Sequence, residues 1–247
     1  MVKSRPTKIC FVATADLTLR FILLDQMEFL KQQGFEVWGV CSAGKWVGEL
    51  EQRGFSMTTV SMTRRLFTPF ADIRALFELV RLFRKERFSI VHTHTPKASF
   101  LGQIAAFLAR VPVRIYTIHG LFFLKDSSWR RKFTFGAVEK LLSLLISKAL
   151  FVNKEDMKEV RRLHLYSLRK IFYIGADVDL KRFNPGNYNA EDLKQKRAEF
   201  DIPQNALVIG IVARLVWEKG FHDLFSAMRI ILETLPNSVL LVVGPTE

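Results

Sequence analysis

Two places in this chain combine residue types that could do chemistry. The first is His119-Gly120, an imidazole followed at once by glycine; the second is Arg214 and Lys219, two cations in a loop that closes on Gly220. An imidazole at a strand end, where glycine leaves room for a ligand, could hydrogen-bond a ligand hydroxyl such as a sugar's, or take part in proton transfer. A strand-end histidine tied to a backbone carbonyl would have the same spacing. Two cations between a strand and a helix amino end make a place to hold a diphosphate, although a solvated basic loop would read the same way.

Other strand ends add candidates. Thr14-Ala15-Asp16 follows the first apolar run, His92, His94 and Lys97 surround the fourth, and Gly175, Asp177 and Asp179 follow the seventh. His92 and His94 are one residue apart and would point the same way from a regular strand. A metal pair is conceivable there, but no third ligand of suitable type is near, so no metal is expected. Hydrogen bonding or substrate contact is expected of His94.

The elements that must position these residues alternate between two periodicities. Strands are expected at Ile9 to Ala13, Val37 to Val40, Phe55 to Val60, Ser89 to Thr93, Val113 to Ile118, around Phe151, and at Ile171 to Ile174. Helices are expected between them: Thr18 to Gln33, Trp46 to Arg53, Phe70 to Lys85, Lys97 to Arg110, Ser128 to Ser147 and Lys154 to Leu163. Leu19, Leu23, Met27 and Leu30 should share the inner face of the first helix, and Ile73, Leu76, Phe77, Val80 and Phe83 that of the third. Such alternation predicts an α/β fold with a right-handed, doubly wound parallel sheet. A polar stretch, 178–204, reads as a linker with one charged helix from Asp192 to Glu199. A strand (Leu207 to Val212), a helix (Phe221 to Thr234) and a strand (Val239 to Val243) then open a second domain.

Composition narrows the class. The chain has 247 residues, is 49% hydrophobic and 25% charged, and carries 37 Lys and Arg against 24 Asp and Glu, a net charge of +13. It can bury a sizeable core and suits an acidic partner. Arg64, Arg65, Arg74, Arg81, Arg84, Lys85 and Arg87 form one basic region. Arg130, Arg131 and Lys132 form another, interleaved with Phe122, Phe123, Trp129, Phe133 and Phe135. Basic residues among aromatics fit an anionic membrane surface, and a solvated face with aromatics packed inward is the competing reading. No nucleic-acid recognition motif is present. The Walker spacing and a Gly-x-Gly-x-x-Gly after the first strand are absent, which argues against a P-loop enzyme and a nicotinamide dehydrogenase. Cys10 and Cys41 lack metal-ligand spacing and read as small buried hydrophobes in a reducing compartment. No apolar run is long enough for a membrane span.

Four segments carry a resemblance. Ile90-Val91-His92-Thr93-His94-Thr95-Pro96-Lys97, Ile115-Tyr116-Thr117-Ile118-His119-Gly120, Ile174-Gly175-Ala176-Asp177-Val178-Asp179-Leu180-Lys181-Arg182-Phe183 and Ala213-Arg214-Leu215-Val216-Trp217-Glu218-Lys219-Gly220 together resemble the GT-B glycosyltransferases of family four. Within it they are similar to the branch that builds bacterial capsules, O-antigens and lipid-linked glycans. The resemblance implies a Rossmann-like acceptor-side domain over 1–177, a linker over 178–204, and the first β-α-β of a nucleotide-sugar-binding domain over 205–247. It implies retaining transfer of a hexose-type sugar from a nucleotide-diphosphate sugar to a lipid-linked saccharide, without a metal or other cofactor, in the cytoplasm or peripherally on the cytoplasmic face of the inner membrane. His119 would be the active-site histidine, Arg214 and Lys219 would hold the donor diphosphate, and Thr14, Asp16, His94 and Lys97 would line the acceptor side. Gly120 and Asp177 are further strand-end candidates.

Three departures accompany the resemblance. Thr14-Ala15-Asp16 stands where the family has glycines, Ala176 replaces a glycine, and the chain ends at Glu247 before the Glu-x7-Glu segment of the family. The alternative is therefore a truncated, catalytically inactive fragment whose amino-terminal domain only binds acceptor or membrane, with little or no transfer by the purified chain.

Overall fold

A computed structural model describes residues 6–63, 65, 68–121, 128–176 and 178–245. The chain divides into two units, Met1–Asp177 and Val178–Glu247, so the polar stretch 178–204 goes with the second.

The first unit is built on seven strands, β1 (Lys8–Val12), β2 (Glu36–Cys41), β3 (Ser56–Thr59), β4 (Ile90–Thr93), β5 (Val113–Ile118), β6 (Lys148–Phe151) and β7 (Ile171–Tyr173). All pair in parallel, in the order β3-β2-β1-β4-β5-β6-β7. Branched and aromatic runs form these strands because both faces are covered. Ile9 and Phe11 of β1 and Ala13 just past it pack with Leu19 of α1 (Asp16–Phe21), Leu23 before α2 (Leu24–Gln32), Met27 of α2 and Leu50 of α3 (Val47–Gln52). The alternate residues Cys10 and Val12 pack with Ala75, Leu79 and Phe83 of α4 (Pro69–Glu86) and with Ala98, Leu101 and Ala105 of α5 (Pro96–Leu108). A third cluster joins β5 to β7 with α6 (Trp129–Leu145) and α7 (Lys154–Arg162). The doubly wound α/β sheet expected from the alternation of strands and helices is therefore present. Both cysteines are buried free thiols, and burial, joined by the Asp16 charge, pushes Cys41 up to about 12.

Three expectations need correction. The single helix from Thr18 to Gln33 is two helices, because the Thr18 carbonyl accepts both the Ile22 and the Leu23 amides and the ladder restarts at Leu23. Leu19, Leu23 and Met27 are nonetheless buried. On α4 the core takes the stripe Ala75-Leu79-Phe83, whereas Ile73 and Phe77 are 55% and 71% exposed. That helix carries more apolar positions than one face can bury. Finally, the helix expected from Asp192 starts earlier, as α8 (Ala190–Glu199), because Asn189 caps it and Asp192 returns a bond to the Asn189 amide.

In the second unit β8 (Leu207–Val212) pairs in parallel with β9 (Ser238–Val243), joined through α9 (Phe221–Thr234). Much apolar surface there is open: Val212 is 84% exposed, and Phe225 and Ile230 are exposed too. Met228 is the buried residue of α9.

Candidate functional site

The strand order reverses direction between β1 and β4, and in open α/β sheets ligands bind beyond the carboxyl ends of the strands at such a point. Thr14 sits there, two residues past β1, and Thr95 two residues past β4. Their hydroxyls are 2.8 Å apart, and the Thr14 amide donates to Thr95 Oγ1 at 3.1 Å. Thr95 has φ 66° and ψ 143°, outside the usual regions for a β-branched residue. Such a conformation costs about 1–3 kcal/mol and persists only where its surroundings over-determine it. Here the two bonds to Thr14, the Ser99 amide on its carbonyl and the fixed ring of Pro96 at the start of α5 do so.

Asp16 holds the neighbouring loop. Its carboxylate accepts the Leu17 amide at 2.8 Å and, from the loop after β2, the Trp46 amide at 2.8 Å. Ser42 adds a hydroxyl bond of 2.6 Å to the Thr14 carbonyl. Gly44 lies so close that a Cβ there would stand 2.2 Å from the Asp16 carboxylate. Gly44→Ala is therefore expected to lower stability by about 1–3 kcal/mol, since the pinned carboxylate cannot yield cheaply. Gly48→Ala, on open space at the start of α3, should raise it by up to about 1 kcal/mol. Thermal unfolding of the two variants checks the pair, and equal melting temperatures would show the carboxylate is not pinned.

The histidines form the second layer. His92 on β4 is buried, with Nε2 2.7 Å from Thr117 Oγ1 on β5. His94, one residue past β4, donates its amide to the Val12 carbonyl, and its Nδ1 lies 3.1 Å from His119 Nε2 just past β5. The side chain of His94 is 1% exposed, stacked on Phe11 and 4.1 Å from the His92 ring. His119 itself is exposed. Burial, with a smaller repulsion from His119, pushes His92 down to about 3. Burial, then His92 and His119, holds His94 well below the usual imidazole range, so both are neutral at pH 7. An exposed imidazole backed by a buried neutral one can be aimed and held in one tautomer. Among the described residues, no group of three or more His, Cys, Asp or Glu is placed to hold a metal ion.

The remaining candidates divide. Lys97 is a tie within the fold: Nζ pairs with Asp72 at 2.7 Å and donates to Thr63, Thr68 and the Arg65 carbonyl, which fastens the start of α5 to the segment before α4. Its charge is met by that carboxylate, and acceptor contact is dropped for it. Asp16 likewise spends both carboxylate oxygens on amides. Gly120 follows His119 and is half-buried. Asp177, Arg64, Phe122 and Phe123 lie outside the described residues. Thr95 and Gly44 were not singled out from sequence, and the Thr95-Pro96 pair at a strand end was the available signal.

Arg214 and Lys219 are both exposed, on the segment between β8 and α9. The segment is fixed by the Leu215 amide on the Pro245 carbonyl and by Gly220 at φ 72°, which turns the chain into α9. Gly244 comes so close that a Cβ would meet the Ala213 carbonyl oxygen at 1.8 Å. In sequence the two cations precede the 14-residue helix α9, whose amino end begins two residues after Lys219.

A family model described as glycosyl transferase 4-like matches residues 8–152, which span β1 to β6 and the threonine and histidine layers. The chain belongs to the glycosyl transferase 4-like family. Among curated relatives of this glycosyltransferase-family chain, the capsular polysaccharide biosynthesis glycosyltransferase CapM of Staphylococcus aureus is 30% identical over 92% of this chain and 58% of its own length. The UDP-Gal:alpha-D-GlcNAc-diphosphoundecaprenol alpha-1,3-galactosyltransferase of Escherichia coli is 31% identical over the same shares. The chain thus spans about three fifths of the length of the relatives it matches. Among solved structures, Anabaena HepE in complex with UDP and glucose superposes with a TM-score of 0.72 at 17% identity, over 98% of this chain and 62% of that one. That likeness shows the GT-B fold.

Proposed function

We propose that this family member transfers a hexose-type sugar from a nucleotide-diphosphate donor to a hydroxyl of a lipid-diphosphate-linked saccharide, with retention at the anomeric carbon, in the making of a bacterial surface polysaccharide. The observation that carries this reading is the exposed imidazole of His119, backed by buried His94, at strand ends beside the switch point. His119 hydrogen-bonds the donor sugar, and Arg214 and Lys219 offset the charge that develops on the departing diphosphate without a metal. Thr14 lines the acceptor side, and His94 backs His119. The activity named for the E. coli relative supports a nucleotide sugar and a diphosphoundecaprenol acceptor, and its α-linkage fits retention from an α-linked donor. The test is incubation of the native gene product with nucleotide-diphosphate hexoses and a polyprenyl-diphosphate-linked saccharide. Lengthening by one hexose is expected, and no lengthening with any donor would overturn the reading.

A lipid-linked acceptor calls for work at a membrane surface, and α4 supplies a face for it. Phe70, Ile73 and Phe77 are 89%, 55% and 71% exposed and share a side with exposed Arg74, Arg81 and Arg84. Trp129 and Phe133 of α6 are exposed as well. No described helix is long and apolar enough to cross a membrane, and an apolar stripe flanked by arginines suits lying on an anionic bilayer. Phe70→Glu with Phe77→Glu is expected to weaken binding to vesicles containing phosphatidylglycerol by at least about tenfold. Wild-type binding should fall as salt rises. Equal wild-type binding to neutral vesicles would exclude this face as an electrostatic membrane contact.

A further inference from the structure

The sequence placed His94 among residues that meet the acceptor. Its surroundings assign it a different part. We propose that His94 is a positioning residue: through Nδ1 it fixes the ring and the tautomer of His119, so that His119 meets its ligand with the proton on Nδ1. The inference rests on the reading that His119 contacts substrate.

The geometry leads there in steps. Strands β4 and β5 are tied twice by histidine, from His92 to Thr117 within the sheet and from His94 to His119 just beyond it. His94 is itself immobilised, by its amide on the Val12 carbonyl, by the Phe11 ring at 5.7 Å with an interplanar angle of 11°, and by His92 on its other flank. It is buried and neutral, so one ring nitrogen carries hydrogen and the other a lone pair. Its Nε2 is buried and has no hydrogen-bond partner among the described residues. Orphaned buried N–H groups are rarer than under-satisfied acceptors. The proton of His94 therefore sits on Nδ1, where it has a partner 3.1 Å away. His94 then donates to His119 Nε2. A neutral His119 that accepts at Nε2 holds its own proton on Nδ1.

Protonating His119 on Nε2 would set two N–H groups against each other. His94 could answer only by moving its proton to Nε2, where no acceptor stands among the described residues. The pair therefore favours a neutral His119 that serves as a hydrogen-bond donor through Nδ1.

The experiment uses the native gene product labelled with 15N-histidine, with long-range 1H–15N correlation spectra at pH 7.5. His119 is expected as a single Nδ1–H tautomer. His94→Phe keeps the ring contact with Phe11 but removes Nδ1, and should release His119 to a mixture in which Nε2–H is populated. His94→Asn, whose amide can donate from near the Nδ1 position, should keep most of the Nδ1–H signature and serves as the second variant if the Phe form does not fold. In transfer assays His94→Phe should lower kcat by about 10- to 100-fold with a smaller change in KM, as loss of an orienting partner does, and His94→Asn should recover most of it. A wild-type His119 already in the Nε2–H form, or a tautomer unmoved in folded His94→Phe, would overturn the proposal. His119→Ala tests the underlying reading separately: if it transfers at the full rate while the tautomer result holds, the pairing is real but is not used on substrate.

Discussion

Replacing His119 by alanine is expected to lower sugar transfer by about 100-fold or more and to lower the melting temperature by a few degrees at most. The side chain is exposed, so its removal opens no cavity. What it removes is a hydrogen-bonding group at the carboxyl end of β5, one strand from the switch point, held by His94 at 3.1 Å. The loss should fall in kcat more than in KM, because a bond that tightens on the sugar as its anomeric carbon takes on charge counts chiefly in the transition state. His119→Gln, which keeps a donor but carries it one bond farther from the backbone than Nδ1 and with a different aim, should fall between. Rates measured with one donor at saturating acceptor check this, and an alanine variant at full rate would remove His119 from the mechanism.

The second large effect is expected at the loop between β8 and α9. Arg214→Ala together with Lys219→Ala should lower transfer by about 100- to 1,000-fold, the range seen when a preorganised donor to developing charge is lost. It should also weaken binding of the nucleoside diphosphate product. Both side chains are exposed and the loop is fixed by backbone bonds from Leu215 and by Gly220 and Gly244, so the fold should tolerate the change. Arg214→Lys keeps the charge but loses the planar fork, and an intermediate loss is expected. Calorimetric titration with UDP separates the contributions: undiminished UDP binding by the double variant would assign the diphosphate to other groups.

Much of this was readable from the chain because the strands are short runs of branched and aromatic residues at regular spacing. All seven strands of the first unit and both of the second fall where those runs lie. Helix faces were less readable. On α4 two apolar stripes compete, and only packing against the sheet shows that Ala75, Leu79 and Phe83 go inward while Phe70, Ile73 and Phe77 stay out. The break between α1 and α2 depends on one carbonyl, that of Thr18, shared by two amides, which periodicity does not register.

Within the site, residue type and strand-end position found His119 and His94 but not what joins them. Their contact links positions 25 residues apart. The tie of Lys97 is not legible in sequence because its carboxylate, Asp72, lies on another helix. Thr95 was missed because local preference argues against a β-branched residue at φ 66°; only its long-range bonds to Thr14 hold it there. Asp16 has the type and strand-end position of a ligand-facing carboxylate, but the Trp46 amide, 30 residues away, occupies it.

The proposed reaction is transfer of a hexose to a lipid-linked saccharide by a chemistry that uses His119. Its most direct measurement is mass spectrometry of a polyprenyl-diphosphate-linked saccharide in anionic vesicles, after incubation of the native gene product with each of several nucleotide-diphosphate hexoses and parallel incubation of the His119→Ala variant. Expected is an acceptor heavier by one hexose with a preferred donor, and about one hundredth of that product or less from the variant. An acceptor unchanged with every donor, or equal product from the variant, would contradict it.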